Sequence, residues 1–382
     1  MIKHNNLVFL WLILFMLASS MSIAQNNKGT TSYHLLVGTY TNGKSEGVYT
    51  YRFDSQKGSL TLEHTQRDVV NPSYLVLSPD GKYMYAVNEL SEGTGNVSAF
   101  HFDQHSGKLA SINQQSSEGG APCYITIDRG QQYVIVGNYG GGLSVLPIEK
   151  DGSLGPSIQT IHHEGSSINK SRQESSHVHA TVFSPDGDYL FVVDLGTDKV
   201  YAYRYLPENE TPLEPAAIPF TSIEPGAGPR HITFSPSGKY AYVVHELTAE
   251  VSVYAYKDGK LSQIQTILMT APDFKGKIGG AAVHVSPDGK FLYASNRLDA
   301  NDIAIYKITK EGMLELVGRQ STLGKTPRDF LIDPTGQFLL AANQDSDSIV
   351  VFQRDVKTGM LSPTGTRIEI GNPVFLKMVP IR

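Results

Sequence analysis

Hydrophobic and polar positions alternate most clearly between Val178 and Tyr205. An apolar stretch over 180–184 runs into Pro185-Asp186-Gly187, a second follows over 189–193, and after an Asp/Gly loop aromatic side chains stand at every second position, Tyr201, Tyr203 and Tyr205. A period of two interrupted by turn residues predicts a β-meander. The same pattern returns as NPSYLVLSPDGKYMYAVNE from Asn71, APCYITIDRGQQYVIVGNY from Ala121, GPRHITFSPSGKYAYVVHE from Gly228, GAAVHVSPDGKFLYASNR from Gly280 and TPRDFLIDPTGQFLLAANQ from Thr326. With Pro72, Pro122, Val178, Pro229, Gly280 and Pro327 as common origins, the repeats lie roughly 47 to 56 residues apart, the spacing of propeller blades.

The two ends supply a further blade. NPVFLKMV from Asn372 is a first strand with no successor, and HLLVGTYTNGKSEGVYTYRF from His34 contains later strands with no first. Pairing them would close the ring and remove its two strand edges. The expected fold is therefore all-β, a seven-bladed β-propeller closed by pairing of N- and C-terminal strands, over residues 25–382. Residues 1–24 stand apart: Lys3, an apolar run over 7–17 and small residues ending Ser22-Ile23-Ala24 predict a secretory signal peptide cleaved before Gln25. The run is short for a membrane span and no cysteine follows it to take a lipid. An exported protein, periplasmic or secreted and without a stable membrane anchor, is expected.

Composition narrows the function. A net charge of −5 implies no nucleic-acid surface. Cys123 is the single cysteine, which excludes an intrachain disulfide and reads as a small hydrophobe in a blade strand. The single tryptophan, Trp11, lies in the leader, which argues against a WD-type propeller and a Trp sugar platform. No metal site is expected: His177 and His179, two apart on one strand and therefore on one face, lack a third ligand, and the acidic stretches 194–198, 299–302 and 345–347 suit turns. Gly140-Gly141-Gly142 lacks the Lys-Ser/Thr ending of a phosphate loop, and no Gly-x-Ser-x-Gly elbow occurs. No cofactor is implied.

The repeat register yields a candidate site. Each hairpin returns the residue after the origin and the residue near the end of the second strand to the same end of the sheet. The first series reads Ser73, Cys123, His179, Arg230, Ala281, Arg328; the second reads Glu89, Tyr139, Leu195, Glu246, Arg297, Gln344. First strands line a propeller's channel, so His179, Arg230, Glu246, Arg297, Arg328 and Glu89 are expected to meet at one mouth. An excess of arginine suits an anionic or carbonyl-bearing ligand, and His or Glu can serve as a base. Channel-lining ion pairs that only satisfy one another are the alternative. The polar connection 163–176 is longer than a simple turn and reads as a functional loop, with Arg172 and Gln173 reaching over the mouth.

Several motifs together, VGTYTNGKSEGVYTYRF, GNYGGGLSVLPI, HEGSS…RQESSHVHATVFSPDG, VVDLGTDKVYAYRY, GAGPRHITFSPSGKYAYVVHEL and SNRLDANDIAIY, resemble the lactonase family of seven-bladed propellers over nearly all of the mature chain. That family includes propeller-type 6-phosphogluconolactonases and fungal carboxy-cis,cis-muconate cyclases. The resemblance implies a cofactor-free site that hydrolyses, or in the fungal branch forms, an ester inside a small ring. The cyclase's catalytic His, two Arg and Glu fall on His179 in HVHA, Arg230 in GPRH, Glu246 in VHEL and Arg297 in SNR, with Arg328 in TPRD also at a channel position. The expected reaction is hydrolysis of a sugar lactone, 6-phosphogluconolactone to 6-phosphogluconate: Arg230 and Arg297 bind the carbonyl or acid group, Glu246 or His179 activates water, and Arg328, Glu89, His177 and Arg172 contact the substrate. A non-catalytic propeller for an anionic ligand or protein partner, and a lactone-forming cyclase, remain open. Export also admits an unphosphorylated lactone, since the phosphorylated one arises inside cells. Nothing in the pattern selects an oligomeric state.

Overall fold

The computed structural model describes residues 31–90 and 92–382; the expected signal peptide, 1–24, lies outside them. Twenty-eight strands form seven four-stranded antiparallel sheets. Blades 1 to 6 span 75–116, 122–161, 178–222, 229–268, 280–321 and 327–369, each following the chain from first strand to fourth. Blade 7 is composite, ordered Pro373–Pro380, Ser32–Thr39, Gly47–Asp54, Ser59–Arg67. Its two termini pair antiparallel from Tyr33↔Pro380 to Gly38↔Phe375, so the ring closes as expected.

Burial explains the repeat. Second strands such as Tyr189–Asp194 are apolar and buried along nearly their whole length, while a fourth strand such as Lys260–Leu268 exposes most positions. Each hydrophobic cluster joins neighbouring blades: Phe191 of blade 3 packs against Phe234 and Tyr256 of blade 4. Burying such an aromatic contributes about 2–3 kcal/mol, so each blade is stable only beside its neighbours. The Ser-Pro-Asp-Gly turn sets the hairpins: Ser184 Oγ donates to Asp186 and accepts from Tyr189 N, while Gly187 donates to Ser184 O with φ at 86°, a conformation that favours glycine.

Two regularities position the channel mouth. The hairpin-partner residues Glu89, Tyr139, Leu195, Glu246, Arg297 and Gln344 each donate a backbone N–H to the carbonyl of the residue preceding the repeat origin, at 2.7–3.1 Å. Tyr40 does the same to Asn372 O in blade 7. Immediately after the origin, the first strand carries a β-bulge in blades 2 to 6, at Cys123, His179, Arg230, Arg328 and, over two alanines, Ala281 and Ala282. A bulge gives one strand an extra residue and re-aims its side chain. Here it turns the residue after the origin out of the sheet alternation.

Candidate active site

At that mouth lies a cavity of about 400 Å³. Its walls combine Tyr40, Glu89, Tyr139, Glu246 and Arg297 from the hairpin-partner series with Cys123, His179 and Arg328 from the bulge series. The 163–176 connection adds Asn169 and Arg172.

One wall is built on Glu246. Its Oε1 accepts a hydrogen bond from Arg172 Nη2 at 2.5 Å, and its Oε2 is ion-paired with Arg297 Nη2 at 2.8 Å and with Arg230 Nε at 3.1 Å, the last without hydrogen-bond alignment. Burial pushes this carboxyl up, but Arg297, Arg230 and Arg172 outweigh it and hold it down at about 2, an anion throughout the physiological range. Arg297 also donates to Gly279 O and Gly280 O, and Arg172 to the Tyr139 hydroxyl. Among the described residues neither uses its Nη1 on a protein partner, which leaves donors that a ligand could take.

The opposite wall carries Glu89. Tyr40 Oη lies 3.0 Å from both of its oxygens, and Ser73 Oγ donates to Oε2 at 2.5 Å. The Arg328 guanidinium stands 5.4 Å from the centre of the Tyr40 ring, within cation–π range. Among the described residues it has neither an ion pair nor a hydrogen bond. The floor is His179 and Cys123, with Nδ1 and Sγ 3.9 Å apart, and the thiol donates to Val178 O at 3.5 Å. Burial, reinforced by Arg230 and Arg328, pushes His179 well below the usual imidazole value, so it is neutral at pH 7. Burial and the Glu89 charge push Cys123 up, and it remains a thiol.

The structure brings His179, Glu246, Arg297, Arg328, Glu89 and Arg172 to one cavity and places three other residues elsewhere. Arg230 is 2% exposed and lies beneath Glu246, donating Nη1 to Ala281 O at 2.8 Å against the His231 ring; it does not line the open cavity. Burial, with Arg328 and Arg297, pushes its guanidinium down to about 9, still protonated at neutral pH. His177 stands behind Tyr139, its ring stacked on the tyrosine at 4.3 Å, with Nδ1 donating to Tyr139 O and Nε2 3.0 Å from Glu174. The expectation that His177 and His179 share a face is corrected: the strand begins at Val178, and the bulge at His179 breaks the alternation. Gln173 does not reach over the mouth. It is fully buried, donating Nε2 to Leu195 O and accepting Asn169 N on Oε1, and so pins the connection that carries Arg172.

Sequence reasoning missed Tyr40 and Asn169. Tyr40 was within reach, because carrying the hairpin register into the composite blade makes it the seventh hairpin partner. Asn169 sits in an irregular connection with no register to follow.

Four guanidinium groups and two carboxylates surround the cavity, Arg230 included, an excess of two positive charges beside a neutral imidazole. Fold and site together define a closed propeller whose channel mouth presents a cationic cavity suited to a small anionic or carbonyl-bearing ligand. The family model described as Lactonase, 7-bladed beta-propeller, matches residues 34–378. A 6-phosphogluconolactonase of Bacillus subtilis is 37% identical over 79% of this chain and 86% of its own length. One of Formosa agariphila is also 37% identical, over 78% of this chain and 86% of its own. The solved Pseudomonas aeruginosa periplasmic gluconolactonase is 41% identical with a TM-score of 0.89, covering 92% of this chain and 100% of that one. The chain belongs to the seven-bladed propeller lactonase family, and it is a lactonase.

Proposed function

We propose that the chain hydrolyses 6-phosphogluconolactone to 6-phosphogluconate. The observation that carries this reading is Arg328, a cation in the cavity wall with no protein partner for its N–H groups among the described residues, available to the carbonyl oxygen that becomes an oxyanion as water adds. Arg172 and Arg297, held on Glu246 yet keeping free N–H donors, suit the substrate's anionic group. Arg230 supports that wall from below, and His179 lies on the floor as a neutral acceptor. The names of the Bacillus and Formosa relatives support the phosphorylated substrate.

A second reading, an unphosphorylated sugar lactone, is favoured by the leader-like residues 1–24 and by the name of the Pseudomonas neighbour. The same two observations support export to the periplasm. Among the described residues no helix is long and apolar enough to cross a membrane.

The test is acid release measured by pH-stat on glucono-1,5-lactone and its 6-phosphate, corrected for spontaneous opening. Faster turnover of the phosphate ester is expected. Preference for the unphosphorylated lactone supports the second reading, and no acceleration of either refutes both.

A further inference from the structure

The two carboxylates of the cavity are in different states of engagement. Glu246 is in contact with three guanidinium groups, at 2.5, 2.8 and 3.1 Å, and a proton placed on it would have to displace those cations. Among the described residues the Glu89 carboxylate accepts only from neutral hydroxyls, Tyr40 and Ser73. No Lys or Arg nitrogen among the described residues lies within 4.0 Å of it. Among the described residues its Oε1 accepts from Tyr40 alone, and a carboxylate oxygen can accept about two hydrogen bonds, so it retains room for a water. A general base has to face the reacting water with an acceptor that is not already spent. Glu246 Oε1, which takes Arg172, has one site left by the same count, but every group on that carboxylate is a cation that a transferred proton would have to oppose, whereas Glu89 faces neutral hydroxyls. His179 is a further candidate base on the cavity, but an imidazolium there would join the cations of Arg230 and Arg328 in a buried floor.

We propose that Glu89 is the base that takes the proton from the attacking water, with Tyr40 holding its carboxylate in place. The inference rests on the reading of the site as a lactone hydrolase. As the water oxygen bonds to the lactone carbonyl carbon, its proton passes to Glu89 and the carbonyl oxygen becomes an oxyanion facing Arg328. The tetrahedral species collapses, the bond from acyl carbon to ring oxygen breaks, and Glu89 returns the proton to the departing ring oxygen. Water is the only co-reactant, Glu89 ends ionised as it began, and the hydroxy acid loses its own proton to solvent. Glu246 is then a positioning residue that sets the arginines.

The experiment compares wild type with Glu89→Ala, Glu89→Gln and Tyr40→Phe on the better of the two lactones, measuring kcat and KM separately, with 6-phosphogluconate or gluconate binding by calorimetry to show that each variant keeps its site. Glu89→Ala and Glu89→Gln are expected to lose kcat roughly a hundred- to thousand-fold at nearly constant KM. Added formate, a small carboxylate that fits the vacated space, is expected to restore turnover to Glu89→Ala and not to Glu89→Gln. Tyr40→Phe should lose kcat by a smaller factor. Retention of kcat within threefold in Glu89→Ala, or a loss that formate does not repair, overturns the assignment while leaving the lactonase reading intact. Absence of lactone hydrolysis by wild type overturns the reading on which it rests.

Discussion

Replacing Glu246 by glutamine keeps the shape of the side chain and removes the anion that three arginines share. The carboxylate is 7% exposed, and its pKa is drawn from an ordinary 4.5 to about 2 by Arg297, Arg230 and Arg172 against the opposing push of burial. A depression of that size corresponds to about 3 kcal/mol of folding stability at neutral pH, near the lower end of what breaking a buried ion pair costs. The propeller of roughly 350 residues has an unfolding entropy of about 0.7 kcal/mol/K, so the variant should melt about 4 °C lower. Because the folded pKa lies below the unfolded one, this stabilisation is present above about 4.5 and fades as the pH falls toward 2. Differential scanning calorimetry of wild type and Glu246→Gln at pH 7 and again at pH 3.5 measures both arms. An unchanged or raised Tm at pH 7 would refute the view that Glu246 neutralises the cluster, and a gap that widens at pH 3.5 would refute the sign.

Arg328→Met should lower kcat/KM by roughly a hundred- to thousand-fold with Tm nearly unchanged, because among the described residues this guanidinium makes no ion pair; a large loss of Tm would mean that it is structural. Gln173→Ala should raise KM several-fold and cost about 1–3 kcal/mol, since Leu195 O and Asn169 N lose their partner and Arg172 loses its anchored loop; steady-state kinetics and denaturant melts read both. Burial depresses His179, His231 and His245, the last to about 4, so the unfolded chain binds protons before the folded one does. Stability should therefore fall as the pH drops below about 6.5, and denaturant midpoints at pH 7.5 and 5 that coincide would contradict it.

The blades were legible because their signals are local. A Ser-Pro-Asp-Gly turn with Ser184 and Asp186 closing its own hydrogen bonds needs no distant partner, and a two-residue period needs only one buried face. The seventh blade was legible for a related reason: an unmatched first strand at one end and unmatched later strands at the other have one economical solution, and Tyr33–Gly38 does pair with Phe375–Pro380. Hairpin register then located most of the cavity, since Glu89, Glu246 and Arg297 are each fixed by one backbone bond to the residue before the repeat origin.

The state of each charge was not local. Arg172, Arg230 and Arg297 reach Glu246 from a long connection, from the first strand of its own blade and from just past the second strand of the next blade, and no sequence spacing says which of them ends beneath the carboxylate and which remains open to a ligand. The bulges parted His177 from His179, a full burial turned Gln173 inward, and the composite blade brought Tyr40 to Glu89 across 49 residues. Sequence alone therefore determined the number of blades, their closure and the end at which the polar residues gather, because these follow from periodicity and turn chemistry. Only the tertiary structure decided which carboxylate is neutralised and which is left accessible, because that depends on distances of a few ångströms between side chains from separate blades and on how much water each retains.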